Sequence, residues 1–246
     1  MTIRRPQQSS DRQPIFNIPN VLLAILALLV TIHLVRETLL TDAQSIWVIL
    51  NFAYFPDRPE VLLGQEQVAG SEVWSFLTYS LLHADWAHLG LNSLWMVAFG
   101  SPLAWRFGPW RFLAFSAIAA VAGAAVHAFA NSGDQLPMIG ASAAVSAHMA
   151  GAARFLFIAT PGGVRSYWSP AAPLRAVFSD PRTLTFLGVW FGINVAIGLI
   201  GWVSEDFATI AWEAHIGGFA AGLVLFPMFD GGVRRGGGPT PPDLAA

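Results

Sequence analysis

The sequence contains no cysteine and no lysine, and few of its 246 residues are charged. Without cysteine, a disulfide framework and thiolate chemistry are both excluded. Charged residues make up 11% of the chain, whereas soluble domains carry about 25%, and hydrophobic residues make up 54%. The formal net charge of -2 does not point to a nucleic-acid partner. Most of the molecular surface is therefore expected to face the lipid bilayer.

Long apolar runs divide the chain into six predicted transmembrane helices, since a spanning helix needs about 20 mostly apolar residues. We expect an all-α membrane protein with a cytoplasmic N-terminal segment (1–17), a six-helix domain (18–229) and a disordered cytoplasmic tail (230–246). The long outer loop (41–85) is rich in aromatic residues and should lie at the membrane interface. The six predicted spans are Ile18–Leu39, Trp86–Leu103, Trp110–Ala130, Pro137–Ile158, Thr183–Val203 and Phe207–Phe229.

The arginines predict the orientation of these helices. With the N-terminus inside, eleven of the thirteen arginines lie on the cytoplasmic side, and only Arg36 and Arg58 lie outside. This asymmetry follows the positive-inside rule. Both termini are therefore predicted to be cytoplasmic, and the first apolar run is interpreted as a retained helix and not as a cleaved signal peptide.

Polar residues on three of the predicted helices lie at one depth. The second, fourth and sixth spans all run from the outside inwards, and they carry His88 with Asn92, Ser142, and His215 respectively. At 1.5 Å per residue, each lies roughly 5 to 12 Å below the outer end of its helix. Ionisable residues inside a membrane are costly and usually functional. The sequence thus predicts one polar site in the outer leaflet.

This set of side chains is suited to acyl transfer. A serine hydroxyl becomes a nucleophile when a base, usually histidine, takes its proton. An amide, a second imidazole and backbone N–H groups at a helix start could donate hydrogen bonds to the oxyanion. Gly218 and Gly222 on the sixth span, and the small face Ser142, Ser146 and Ala150 on the fourth, predict close packing of the two helices.

The motifs around these residues resemble those of the rhomboid family of intramembrane serine proteases. Gly140-Ala141-Ser142 is similar to the family's nucleophile motif, the segment 214–222 to its catalytic-histidine helix, and His83-x-x-x-x-His88-x-x-x-Asn92 to its second-helix motif. The resemblance implies a six-helix rhomboid-like bundle in a bacterial inner membrane, with its active site facing the extracytoplasmic side. It implies that Ser142 is the nucleophile, His215 the base, and His88 and Asn92 the oxyanion donors.

The same resemblance implies accessory or structural roles near the site for His83, Gly140, Gly218 and Gly222. Its implied partners are the lipid bilayer and transmembrane protein substrates, and it implies no metal and no cofactor. The sequence carries no signal for an oligomeric state.

Three residues depart from the usual pattern of the family. Ala143 stands where a glycine usually follows the nucleophile, and Ser146 where an aromatic residue usually packs on the catalytic imidazole. Ser75 replaces the arginine of a common Trp-Arg pair. These changes leave every reacting group in place.

Other interpretations remain open from the sequence. A rhomboid-like pseudoprotease would bind or escort membrane helices without cleaving them. A small transporter would use histidines as a proton relay, but transporters often show matching repeats, which are not evident here. Zinc binding by His83, His88 and His215 lacks the acidic residue of a His-Glu-x-x-His helix. His33, His127 and His148 are interpreted as residues that line cavities or pack.

Overall fold

A computed structural model of the chain describes residues 18–58, 68–157, 169–201 and 211–231. Within these ranges the chain is helical, apart from connecting segments and one isolated antiparallel bridge between Tyr54 and Met138. The predicted all-α class is therefore confirmed. The N-terminal segment 1–17 and the tail beyond residue 231 lie outside the described residues.

The described residues form ten α-helices, and three of these (α1, α6 and α10) are long and apolar enough to cross a membrane. A 3-10 turn at Tyr79–Leu81 follows α3, and a π-helical turn at Met96–Gly100 joins α4 to α5. The helices are α1 Asn20–Thr38, α2 Asp42–Phe52, α3 Ser71–Thr78, α4 Trp86–Trp95, α5 Ser101–Phe107, α6 Pro109–Ala130, α7 Ser142–Ala153, α8 Leu174–Val177, α9 Pro181–Gly201 and α10 Trp212–Phe229.

The second predicted span is a helix in three parts and not one regular helix. It runs through α4, the π-helical turn and α5, and it ends at Phe107. Pro102 lies just after the π-helical turn. Proline lacks the N–H for a bond to the carbonyl four residues earlier, and its ring crowds that carbonyl. A wider turn before Pro102 relieves this crowding.

The fourth predicted span begins later and ends earlier than expected. The helix starts at Ser142, not Pro137, because the preceding residues are held in an irregular loop. Met138 exchanges backbone hydrogen bonds with Tyr54, and Gly140 has a φ of 120°. Ser142 is consequently the first residue of α7, whereas the sequence interpretation placed it about five residues into the helix.

The outer loop contains two packed helices. Thr41 and Gln44 form a capping box at the start of α2. Two side chains from α3 then bond to the end of α2: Trp74 Nε1 donates to Asn51 O at 2.8 Å, and Thr78 Oγ1 donates to Phe52 O at 2.8 Å. The described parts of this loop, 41–58 and 68–85, therefore have a defined structure of their own. Its location at the membrane interface remains a prediction.

The centre of the bundle is α7, where every residue from Ala143 to Ala153 is buried. Two glycines let α10 approach it closely. A Cβ at Gly222 would lie 2.6 Å from the Cα of Ala147, and a Cβ at Gly218 would overlap the carbonyl of Ala143. The predicted close packing is confirmed, but the glycines meet the row of Ala143 and Ala147 and not that of Ser146 and Ala150.

Buried arginines fix the opposite end of α10. Arg106 on α5 makes a two-pronged ion pair with Asp230, with both N–O distances at 2.9 Å. Arg154 donates to the carbonyl of Leu223 at 3.1 Å. Both guanidinium groups also lie over the ring of Phe226. Because these contacts join α10 to α5 and α7, they hold the two central helices in register.

We predict that Gly218→Ala destabilises the fold. The added methyl has no room against Ala143, and overpacking typically costs about 1–3 kcal/mol. Gly188→Ala on α9 is the matched control, since a Cβ there meets nothing within 4 Å and alanine favours a helix over glycine by up to about 1 kcal/mol. Thermal unfolding in detergent should show a lower Tm for the first variant only. Equal Tm values would mean that α7 and α10 are not in close contact.

Candidate active site

Ser142 and His215 face each other across the contact between α7 and α10. Ser142 Oγ lies 2.8 Å from His215 Nε2, and both residues are half-buried. Ser142 is the first residue of α7, and His215 is the fourth residue of α10. Hydrogen-bond contact between these two side chains was expected from the sequence, and the structure contains it.

The start of α7 gives the serine a favourable electrostatic setting. The first N–H groups of a helix have no partner within the helix, and the helix dipole places partial positive charge there. Ala141, the residue before the helix, is buried, and its carbonyl accepts the N–H of Val145. A negative charge that forms beside Ser142 would therefore lie at the positive end of α7.

His88 and Asn92 lie on the other side of the loop that carries the serine. A Cβ at Gly140 would be 2.7 Å from His88 Nε2 and 3.7 Å from Asn92 Nδ2. Only a glycine leaves room for this approach, and the positive φ of Gly140 also favours glycine. The structure therefore brings together residues from α4, α7 and α10 that the sequence placed at one depth.

The first turn of α4 fixes the orientation of His88. Asp85 caps the helix, with the His88 N–H donating to Asp85 Oδ1 at 2.7 Å, and this hydrogen bond lowers the pKa of the Asp85 carboxyl group. The Ala84 N–H points to His88 Nδ1 at a long distance of 3.5 Å. If Nδ1 accepts, the proton of neutral His88 is on Nε2, the nitrogen that faces Gly140.

The loop before Ser142 is held from two directions by the outer loop. Tyr54 pairs with Met138 through backbone bonds of 3.1 and 2.7 Å. The Gly140 N–H donates to Tyr79 O at 3.0 Å, and the Tyr79 hydroxyl donates to Ala120 O on α6 at 2.8 Å. The outer loop thus acts as a frame for Ser142, and the sequence interpretation assigned no such role to the two tyrosines.

His83 is a buried neighbour of the site. Its ring packs edge-on against that of His88, with centroids 5.1 Å apart, and its carbonyl accepts a hydrogen bond from Arg36 at 2.8 Å. Burial and the proximity of His88 and His33 lower the pKa of His83 to about 3, so the ring is neutral. These contacts fit the structural role that the resemblance implied for His83.

Asn194 on α9 is a site residue that the sequence interpretation missed. It is 4% exposed, and its Oδ1 lies 2.7 Å from His215 Nδ1. A signal was available, because Asn194 is an amide within an apolar span and lies in the outer half of a helix that was predicted to run outwards.

A second serine–histidine pair, Ser116 and His148, has a different geometry. Ser116 Oγ lies 2.8 Å from His148 Nε2 and also 2.8 Å from the carbonyl of Phe112, one turn earlier in α6. A serine hydroxyl in mid-helix commonly donates to that carbonyl, so the histidine then donates to the serine. His148 is also stacked on Phe112. This pair joins α6 to α7 and lacks the direction of proton transfer that an activated serine needs.

Comparison with known proteins gives one family. A family model described as Rhomboid domain matches residues 70–229, which is more than half of the chain. The chain belongs to the rhomboid family. No curated protein matches it. The matched range includes Ser142, His215, His88, Asn92 and Asn194, whereas Tyr54 lies before it. Rhomboid membership together with the long apolar helices supports an integral membrane protein.

We predict that Gly140→Ala impairs the rhomboid site specifically. Its methyl would overlap the His88 ring and displace it. Gly133→Ala is the matched control. Gly133 also has a positive φ, of 94°, so an alanine there carries a similar backbone strain of roughly 1–2 kcal/mol. The Cβ of that alanine would meet nothing within 4 Å. Under the protease function proposed below, substrate cleavage per folded molecule should fall for Gly140→Ala alone. An equal fall in both variants would point to strain, not to His88.

Proposed function

We propose that this rhomboid protein is an intramembrane serine protease that hydrolyses peptide bonds in or near the transmembrane helices of other proteins. The observation that carries the proposal is the 2.8 Å contact between Ser142 Oγ and His215 Nε2, at the N-terminus of a buried helix. The family match supports the same class of protein.

In the proposed reaction, His215 Nε2 takes the hydroxyl proton of Ser142 while Oγ attacks the carbonyl carbon of the scissile bond. The C–N bond then breaks, and the leaving amine takes the proton from His215. The acyl group stays on Ser142 as an ester. A water molecule gives a proton to His215 and attacks this ester. The bond between the acyl carbon and Ser142 Oγ then breaks, Oγ takes the proton back from His215, and the acid is released.

The proposed oxyanion donors are His88 Nε2, the Asn92 amide and the N–H groups that begin α7. The proximity of both side chains to Gly140, two residues before Ser142, supports this assignment. A protonated Nε2 on neutral His88 supplies a donor without adding a formal charge inside the membrane. Preorganised donors of this kind are usually among the largest contributions to acyl-transfer catalysis.

The proposal places the site in the outer leaflet of a six-span protein with both termini in the cytoplasm. The arginine distribution supports this orientation. Ser142, His88 and His215 all lie within the first turn or so of helices predicted to begin outside. We expect an opening to extracytoplasmic water there, since hydrolysis consumes water and polar groups at membrane depth usually line wet cavities.

The central test is cleavage of a single-span model substrate by the purified protein in detergent. Ser142→Ala and His215→Ala should each reduce cleavage to background, since the loss is on the order of 10⁶ in kcat where nucleophile and base act as a unit. Ser116→Ala is the matched control: it removes the other serine–histidine contact and should alter stability without abolishing cleavage.

Two results would contradict this proposal. Cleavage by Ser142→Ala at the wild-type rate would exclude the serine mechanism. Binding of the substrate without cleavage by folded wild-type protein would favour the pseudoprotease. If the protease is active, Asn92→Ala should retain a measurable rate, reduced by about 10²- to 10³-fold, because His88 and the backbone donors remain.

A further inference from the structure

Asn194 makes two hydrogen bonds that together fix the direction of its amide. Its Nδ2 donates to the carbonyl of Trp190 at 2.8 Å, one turn earlier in α9, and its Oδ1 points to His215 Nδ1 at 2.7 Å. A carbonyl cannot donate, so the amide nitrogen must face Trp190. The amide oxygen is then an acceptor aimed at the imidazole.

This acceptor selects one tautomer of the histidine. Neutral imidazole carries its proton on one nitrogen only. With Asn194 Oδ1 at Nδ1, the proton is held on Nδ1, and Nε2 presents its lone pair to Ser142 Oγ, 2.8 Å away. In the opposite tautomer, Nε2 would donate to the serine and could not accept its proton.

We propose that Asn194 is a positioning residue that extends the Ser142–His215 pair to a hydrogen-bonded chain of three side chains, an inference that rests on the proposed protease function. Asn194 does not touch the substrate. It keeps His215 in the tautomer that accepts the serine proton, and it accepts a stronger, charge-assisted hydrogen bond once the imidazole is protonated. A neutral amide does so without the cost of a buried carboxylate in the membrane.

The same contact ties the imidazole to the position of α9. One helical turn away from the Asn194–His215 contact, the ring of Trp190 on α9 stacks on that of Phe219 on α10, with centroids 4.4 Å apart. Trp190 and Asn194 are four residues apart, as are His215 and Phe219, so the two contacts form successive rungs between α9 and α10. A displacement of α9 away from α10 would therefore release His215 Nδ1.

The first test is the tautomer of His215 in the wild-type protein. Nitrogen-15 NMR of the imidazole distinguishes a protonated nitrogen from one with a lone pair. We expect a protonated Nδ1 and an unprotonated Nε2 in the resting protein. A protonated Nε2 in its place would overturn the proposal without any variant having to fold.

The second test compares two variants of similar size. Asn194→Leu removes the acceptor, and we expect kcat to fall by about 10- to 100-fold with KM unchanged, together with loss of the Nδ1–H signal. Asn194→Asp keeps an oxygen at the same place and should retain the Nδ1–H signal and recover most of kcat. Equal impairment of both, with the wild-type tautomer, would show a merely structural role and overturn the proposal.

The matched control is Asn131→Ala. Asn131 Nδ2 also lies beside a histidine nitrogen, His127 Nδ1, at 3.1 Å, at the end of α6. The Asn131→Ala variant should leave kcat unchanged. A loss of kcat equal to that of Asn194→Leu would count against a specific role for Asn194. Ser142→Ala separates the two proposals. If that variant still cleaves, the protease mechanism fails, whereas the NMR signal still tests the contact of Asn194 with His215.

Discussion

The approach of α10 to α7 at Gly218 and Gly222 is the constraint on which the rest of the site depends. Neither glycine can carry a Cβ without overlapping the backbone of α7. This backbone contact brings His215, three residues before Gly218, to the first residue of α7. In a membrane, where apolar surface gives helices little reason to associate, small residues that allow close packing supply much of the driving force. Ser142 and His215 are thus positioned by helix packing that begins about one turn away from them.

A second constraint acts on the loop that precedes α7. The outer loop holds it through the bridge of Tyr54 to Met138 and the bond of Gly140 to Tyr79. The loop before α7 must be non-helical, because Ser142 is the first residue of α7 only if the helix does not begin earlier. The long outer loop therefore contributes to the geometry around Ser142. It determines where α7 begins.

The sequence predicted the helical class and the meeting of Ser142 with His215, because apolar runs and shared depth are properties of the chain itself. It placed the start of the fourth span at Pro137 and not at Ser142, because the pairing of Met138 with Tyr54 joins residues more than 80 positions apart. It also missed Asn194, because an amide in the fifth span is visible in the sequence but its contact with His215 depends on the rotation of α9. Local pattern determines which residues are polar at a given depth, and tertiary packing determines which of them meet.

Covalent labelling by a fluorophosphonate probe tests the central claim most directly, because such a probe reacts with a serine only when a base activates it. Mass spectrometry of the labelled wild-type protein should place one adduct on Ser142, and His215→Ala should abolish it while the protein remains folded. Ser116, which contacts His148, should stay unlabelled. An adduct on Ser116, or labelling of Ser142 that persists without His215, would contradict the account.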